Sequence, residues 1–368
     1  MNSDKIVSII VIGFVIGTVS IALAGAEYFE ELANTDAKYA ASILIAGHNV
    51  GNYKFIIDPF RIHNHFIGGM VKKYDIAVFG NSRALFVYNE NFPNLESVNH
   101  AVPGVNLGSI KKLINMYISH NNYPETIIMT TDPWNILYKE TEKEVSLQQF
   151  TDHFTKLQNI PKIFRLDNLQ ALFGISAYNT YYATDEREGN RLILRIDGRF
   201  DPPPLQDDQE YVDALAQEGE LIPSLKITPE YTLTFENYIQ TLQERDITLI
   251  FLCAPFHPLR YMRHLNAEEK NPEISSLADM EAYIRNFADE NDILVIGSYD
   301  PHMYNLTGKD FYDGIHPKPQ AIAKIISAHS HDLYDLLYTN VYSTYEEYAT
   351  ALVESQAELF TSASQHLS

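Results

Sequence analysis

The chain of 368 residues has a single cysteine, Cys253, and a single tryptophan, Trp134. One thiol can form neither an intrachain disulfide nor a thiolate metal cluster, so neither holds the fold together. Basic residues are scarce: 27 Lys and Arg against 48 Asp and Glu give a formal net charge of −21. Nucleic acid and anionic lipid surfaces both need clustered cations, so this balance argues against either as a partner. Metal-ligand sets are also wanting. "RIHNH", Arg61 to His65, brings two histidines to one face if extended, but no nearby carboxylate completes a set, and no metal is expected.

Only one apolar run is long enough to cross a bilayer. Ile6 to Ala24, "IVSIIVIGFVIGTVSIALA", carries no charge and reads as a transmembrane signal-anchor over residues 1–26. A cleaved signal peptide is the competing reading, with "ALA" at Ala22 to Ala24 as its cleavage site. The run is long for a signal h-region, and Lys5 is the only base before it, which favours the anchor. Glu27, Glu30 and Glu31 follow the run, with Lys38 the first base beyond, so the body of the protein is expected outside the membrane. In a bacterium this means a single-pass inner-membrane protein facing the periplasm.

Residues 27–74 read as a stalk, helical from Ala26 to His48 and irregular and aromatic up to Met70. Five short apolar runs follow: Ile76 to Phe79, Val98 to Val102, Ile127 to Thr131, Thr248 to Ala254 and Ile293 to Ile296. Runs of this kind, bounded by turn residues, are strands buried on both faces. Helical patterns lie between them at Leu107 to Ser119, Leu233 to Glu244 and Leu277 to Ala288. Alternating strand and helix predicts an α/β domain over residues 75–336, a five-stranded parallel sheet doubly wound into three α/β/α layers. Residues 138–231 break the rhythm and read as an inserted irregular and helical segment. Its acidic stretch Asp207 to Glu220 reads as a solvated face. Residues 337–368 form a C-terminal packing helix carrying Tyr345, Tyr348 and Leu352.

Ligands of open α/β sheets gather outside the carboxyl ends of the strands. There the chain has "GNSR" (Gly80 to Arg83), "AVPGVNLGS" with Gly104 and Asn106, "TDPWN" with Asp132 and Asn135, and "CAPFHP" with His257. The fifth strand leads to "DFYDGIHPKPQAI", where Asp313 and His316 precede a helix opening near Pro319. A nucleophilic serine needs a base, and the base needs a group to orient it. Ser82, His316 and Asp313 supply those types. A three-residue spacing lets one turn set the carboxylate against Nδ1 and leave Nε2 for the serine. The bland alternatives are that Ser82 or Asp313 merely caps a helix and that His257 is a structural loop residue.

"VFGNSR", "NHAVPGVNLGS" and "FYDGIHPKP", in that order, resemble the first, second and fifth sequence blocks of the SGNH (GDSL-type) hydrolase superfamily. The resemblance implies a flavodoxin-like sheet of SGNH type, with no cofactor. It also implies Ser82 as nucleophile, Asp313 as orienter, His316 as base and Gly104 as oxyanion donor. Two blocks differ: Gly-Asn-Ser stands for the commoner Gly-Asp-Ser, and Asp132 stands where the family's third block has an oxyanion-hole Asn. Asn106 or Asn135 is expected to substitute for that Asn, while Asn81, Arg83, Asp132, Trp134 and His257 are candidate pocket residues. Among the 24 tyrosines, Tyr178, Tyr181 and Tyr182 are candidate sugar-stacking contacts.

Asp-Pro-Trp at the third block is similar to membrane-anchored SGNH proteins of bacterial envelope polysaccharides, including relatives of alginate-type O-acetyltransferases. That likeness implies a serine esterase or O-acyltransferase acting on O-acetyl groups of an acylated carbohydrate, with an acyl-transferring membrane protein as partner. An inert SGNH-fold scaffold or glycan-binding component is the alternative, motivated by Asp132.

Overall fold

A computed structural model describes residues 34–53, 59–120, 123–137, 182–184, 192–194, 200–201, 209–218, 226–270 and 275–365. The predicted membrane span lies outside them, as do Tyr178 and Tyr181. No helix among the described residues is long and apolar enough to cross a membrane.

All five expected strands form, within a residue or three of the expected ends: β1 (Ile76–Phe79), β2 (Ser97–Asn99), β3 (Thr126–Thr130), β4 (Thr248–Cys253) and β5 (Leu294–Gly297). They make one all-parallel sheet in the order 2-1-3-4-5, with Ile76 opposite both Ser97 and Thr126. This is the flavodoxin-like order, whose switch point falls between β1 and β3. Because side chains alternate along a strand, the apolar runs feed two cores. Ala77, Phe79, Ile127, Met129, Leu249 and Phe251 join one; Ile76, Val78, Ile128, Ile250, Leu252 and Ile296 join the other.

Helices cover both faces. The first core takes Leu107–Ser119, Pro229–Gln243 and Leu277–Glu290, which present Ile110 and Ile114, Phe235 and Ile239, and Met280 and Ile284. The second takes Pro319–Ala328 through Ile322, Ile325 and Ile326, and the C-terminal helix Tyr345–Gln365 through Tyr348 and Leu352. Each fully buried Ile or Phe in these layers contributes about 1.5–3 kcal/mol. The helix starts are written locally. Asn106 caps Leu107–Ser119 by accepting the Ser109 N–H, Ser276 and Asp279 form a capping box, and Pro229 and Pro319 open their helices.

The segment expected as a stalk is built into the domain. Residues 34–45 are helical and bury Ala37, Ala40, Ala41 and Leu44 in the first core. Pro59–Gly69 is a helix rather than an irregular stretch, so "RIHNH" is wound. His63 turns inward against His100, and His65 meets Asn34. Asn49–Tyr53 pairs antiparallel with Tyr182–Thr184 and Leu192–Leu194 of the insertion, and Phe200–Asp201 extends this second sheet. The acidic helix Gln209–Glu218 is not a fully solvated face: Val212 and Ala216 are buried.

Candidate active site

The polypeptide leaves β1 at Phe79 and turns at once. A Cβ on Gly80 would stand 2.2 Å from Thr130 Oγ1 and 2.9 Å from Ala84 Cβ, so only glycine fits where β1 and β3 diverge. Asn81 caps the single 3₁₀ turn Ser82–Ala84, its Oδ1 accepting the Arg83 N–H at 3.0 Å. Ser82 thus starts a turn at the sheet edge, with its side chain partly exposed.

His316 is carried there by a closed loop after β5. Tyr312 N–H donates to His316 O at 2.9 Å, Lys318 N–H to Asp310 O at 2.8 Å, and His257 N–H to Gly314 O at 3.2 Å. Asp313 Oδ1 accepts the N–H groups of Ile315 (2.8 Å) and His316 (3.0 Å), and its Oδ2 lies 2.6 Å from His316 Nδ1. His316 Nε2 lies 2.7 Å from Ser82 Oγ. Nδ1–H therefore donates to the carboxylate, leaving Nε2 to accept the serine proton. The side chains of His316 and Asp313 are 26% and 31% exposed, so a substrate can reach them. Burial alone would raise the Asp313 pKa. The hydrogen bond and charge of His316, with the two N–H donors, outweigh it and hold the carboxyl below its ordinary value.

Donors for an oxyanion can be sought around Ser82. His100 N–H donates to Val78 O at 2.7 Å and Val102 N–H to Gly80 O at 3.0 Å, carrying the β1–β2 ladder up to the Pro103–Gly104 turn. Gly104 has φ +74 and open space around its missing Cβ. Among the described residues, the N–H groups of Ser82 and Gly104 donate to no backbone carbonyl in the turns and loops. Asn135, in the short helix Pro133–Ile136 after β3, is 2% exposed, and neither its Nδ2 nor its Oδ1 has a partner. Buried amides are ordinarily satisfied, so this one is an exception. Asn106 spends its Oδ1 on its helix cap and is exposed.

The candidate pocket residues divide. Asn81, Arg83 and Asp132 do not face a substrate: they are buried and use their polar atoms on one another and on the backbone. Asn81 Nδ2 donates to Asp132 Oδ2 at 2.7 Å, and Arg83 Nη1 to Asp132 Oδ1. Asn81 and Asp132 thus touch, amide against carboxylate. The carboxylate at 132 is matched by a guanidinium that is 0% exposed. An Asp near a nascent oxyanion would oppose it, whereas one paired with Arg does so far less.

His257 is also buried. Its Nδ1 accepts the Leu259 N–H, and its Nε2 lies 3.2 Å from Asp213 on the insertion helix. Burial lowers its pKa, with Asp213 acting the other way. Of the five pocket candidates, Trp134 alone keeps partial exposure, edge-on to Phe256 at 6.5 Å. A groove of about 560 Å³ between Leu44, Phe66, Met70 and the β2 edge holds none of the triad residues.

The Arg83–Asp132 pair is what sequence reasoning missed. Its signal was an arginine directly after a strand that reads as buried on both faces, since an unpaired guanidinium is costly in such surroundings. No protein-family model matches the chain and no curated protein matches it, so the geometry around Ser82 carries the functional reading.

Proposed function

We propose that the protein is a serine esterase or O-acyltransferase of SGNH type, with Ser82 as nucleophile. The observation that carries this reading is the continuous chain Asp313 Oδ2, His316 Nδ1, His316 Nε2, Ser82 Oγ, at 2.6 and 2.7 Å. Three side chains from two ends of the sequence meet in the order that nucleophilic catalysis requires.

Ser82 Oγ attacks the ester carbonyl carbon while His316 Nε2 takes its proton. Asp313 keeps the imidazole in the required tautomer and stabilises the imidazolium. The carbonyl oxygen becomes an oxyanion, received by the N–H groups of Ser82 and Gly104 and the Asn135 amide. Each such donor is worth about 2.7–4 kcal/mol in the barrier. The C–O bond to the alcohol breaks, His316 returns the proton to that oxygen, and an acyl-serine remains. Water or a sugar hydroxyl then gives its proton to His316 and attacks the acyl carbon; the bond from that carbon to Ser82 Oγ breaks, and His316 returns the proton to Oγ.

Acyl transfer to or from an envelope polysaccharide is supported by the apolar N-terminal run, which would hold the domain at a membrane face. The pairing of Asp132 with Arg83 favours a working site over an inert scaffold, because it removes the charge that motivated the scaffold.

The test is labelling with a fluorophosphonate, which loses fluoride as Ser82 Oγ bonds to phosphorus, followed by mass spectrometry. The expected adduct is on Ser82 alone and is absent from Ser82→Ala. Folded protein that takes up no label, and releases no acetate from acetylated oligosaccharides with or without an acceptor, refutes the proposal.

A further inference from the structure

We infer that Arg83 is a positioning residue that fixes the separation of Ser82 and His316, an inference resting on the serine-enzyme reading. Arg83 directly follows the nucleophile, and its Nε–H donates to Ile315 O at 3.1 Å, the residue before the base. With His316 Nε2 on Ser82 Oγ, this closes a ring: Ser82 to Arg83 along the chain, Arg83 to Ile315 by hydrogen bond, Ile315 to His316 along the chain, and His316 back to Ser82.

The guanidinium cannot swing out of that ring. Nη1 donates to Asp132 after β3, and Nη2 donates to Ala254 O and, at 2.9 Å, to Pro255 O after β4. Its face lies 3.8 Å from the Phe256 ring centroid. One planar group therefore joins the strand-end segments after β1, β3 and β4 to the loop that bears Asp313 and His316. Asp313 holds that loop from one side through the N–H groups of Ile315 and His316, and Arg83 holds it from the other through the Ile315 carbonyl.

Charge neutralisation alone does not explain the residue. A lysine would neutralise Asp132, but its single ammonium cannot spread over acceptors on three segments or stack on Phe256. The geometry selects the fork, and the fork serves alignment. A displacement of about 1 Å between reacting groups costs about 10²-fold in rate.

The experiment measures the second-order rate constant of Ser82 phosphonylation by a fluorophosphonate, across pH, for the full chain and for Arg83→Lys and Arg83→Ala. Urea unfolding of each is followed in parallel, so the rate constant refers to folded protein. The expected result is about a 10²-fold slower reaction in folded Arg83→Lys, with the midpoint of its pH profile unmoved. Methylguanidinium, but not methylammonium, should restore much of the rate in Arg83→Ala. If Arg83→Ala does not fold, Arg83→Lys decides. A folded Arg83→Lys that labels at the wild-type rate constant overturns the positioning role while leaving the serine-enzyme reading intact. A wild-type chain that never labels at Ser82 instead refutes that reading, and the positioning role falls with it.

Discussion

Replacing Asn135 by leucine separates catalysis from stability in one substitution. Leucine has the same number and branching of side-chain heavy atoms as asparagine, so the change removes the amide and nearly keeps its shape. The amide is 2% exposed with both polar atoms unpartnered, which charges the folded state about 1–3 kcal/mol. Asn135→Leu is therefore expected to raise the unfolding free energy by about that amount, read as a higher urea midpoint by circular dichroism at unchanged m-value. If the same amide meets the oxyanion, kcat for an aryl acetate should fall about 10²- to 10³-fold, or ~2.7–4 kcal/mol, with KM little changed. A more stable, nearly inactive protein is the signature of a polar group kept for the transition state. The reasoning is refuted if Asn135→Leu is less stable while kcat holds, for then the amide is satisfied in the folded protein and stands outside the oxyanion hole.

Three further outcomes follow from the same geometry. Asp313→Asn keeps an oxygen to accept the Ile315 and His316 N–H groups but loses the charge on Nδ1–H; kcat should drop by roughly 10⁴-fold with little change in melting temperature, measured by steady-state kinetics and calorimetry. Gly80→Ala brings a methyl 2.2 Å from Thr130 Oγ1 and should cost about 1–3 kcal/mol and slow Ser82 labelling. Thr130→Ala in the same chain should recover part of both, because Thr130 Oγ1 has no hydrogen bond to lose while the contact with Ala84 Cβ at 2.9 Å remains.

Burial pushes His63 down to about 3 and His264 to about 4, and takes His100 well below its ordinary value. The folded protein therefore keeps these bases neutral while the unfolded chain protonates them, so stability falls as pH drops below about 6.5. From about pH 7.5 to 5.5 each contributes a loss on the order of 1 kcal/mol, a few kcal/mol together, checked by urea unfolding at the two pH values. A flat stability across that interval would contradict neutral burial of the three.

The parallel sheet was legible because strands buried on both faces leave uninterrupted apolar runs, and β1 to β5 fall on all five of them. Leu107–Ser119 was legible to the residue because its cap and its apolar period agree. The second sheet was not, since its strands are short and join Asn49–Tyr53 to partners more than a hundred residues away. No local periodicity encodes that pairing. Residues 34–45 read as a stalk for a related reason: helical spacing shows that a face is apolar but not what covers it.

At the site the division is of the same kind. The sequence by itself determined the chemical types and their common edge: a serine after the first strand, an Asp and His three apart after the fifth, and a glycine between. It could also show that Asp132 stands in an unexpected place, but not what becomes of its charge. That was decided only by the tertiary structure, which brings Arg83 from the neighbouring strand end onto Asp132 and buries both. A charge is costly or harmless according to what lies within a few ångströms of it. Spacing along the chain fixes such distances only within a turn.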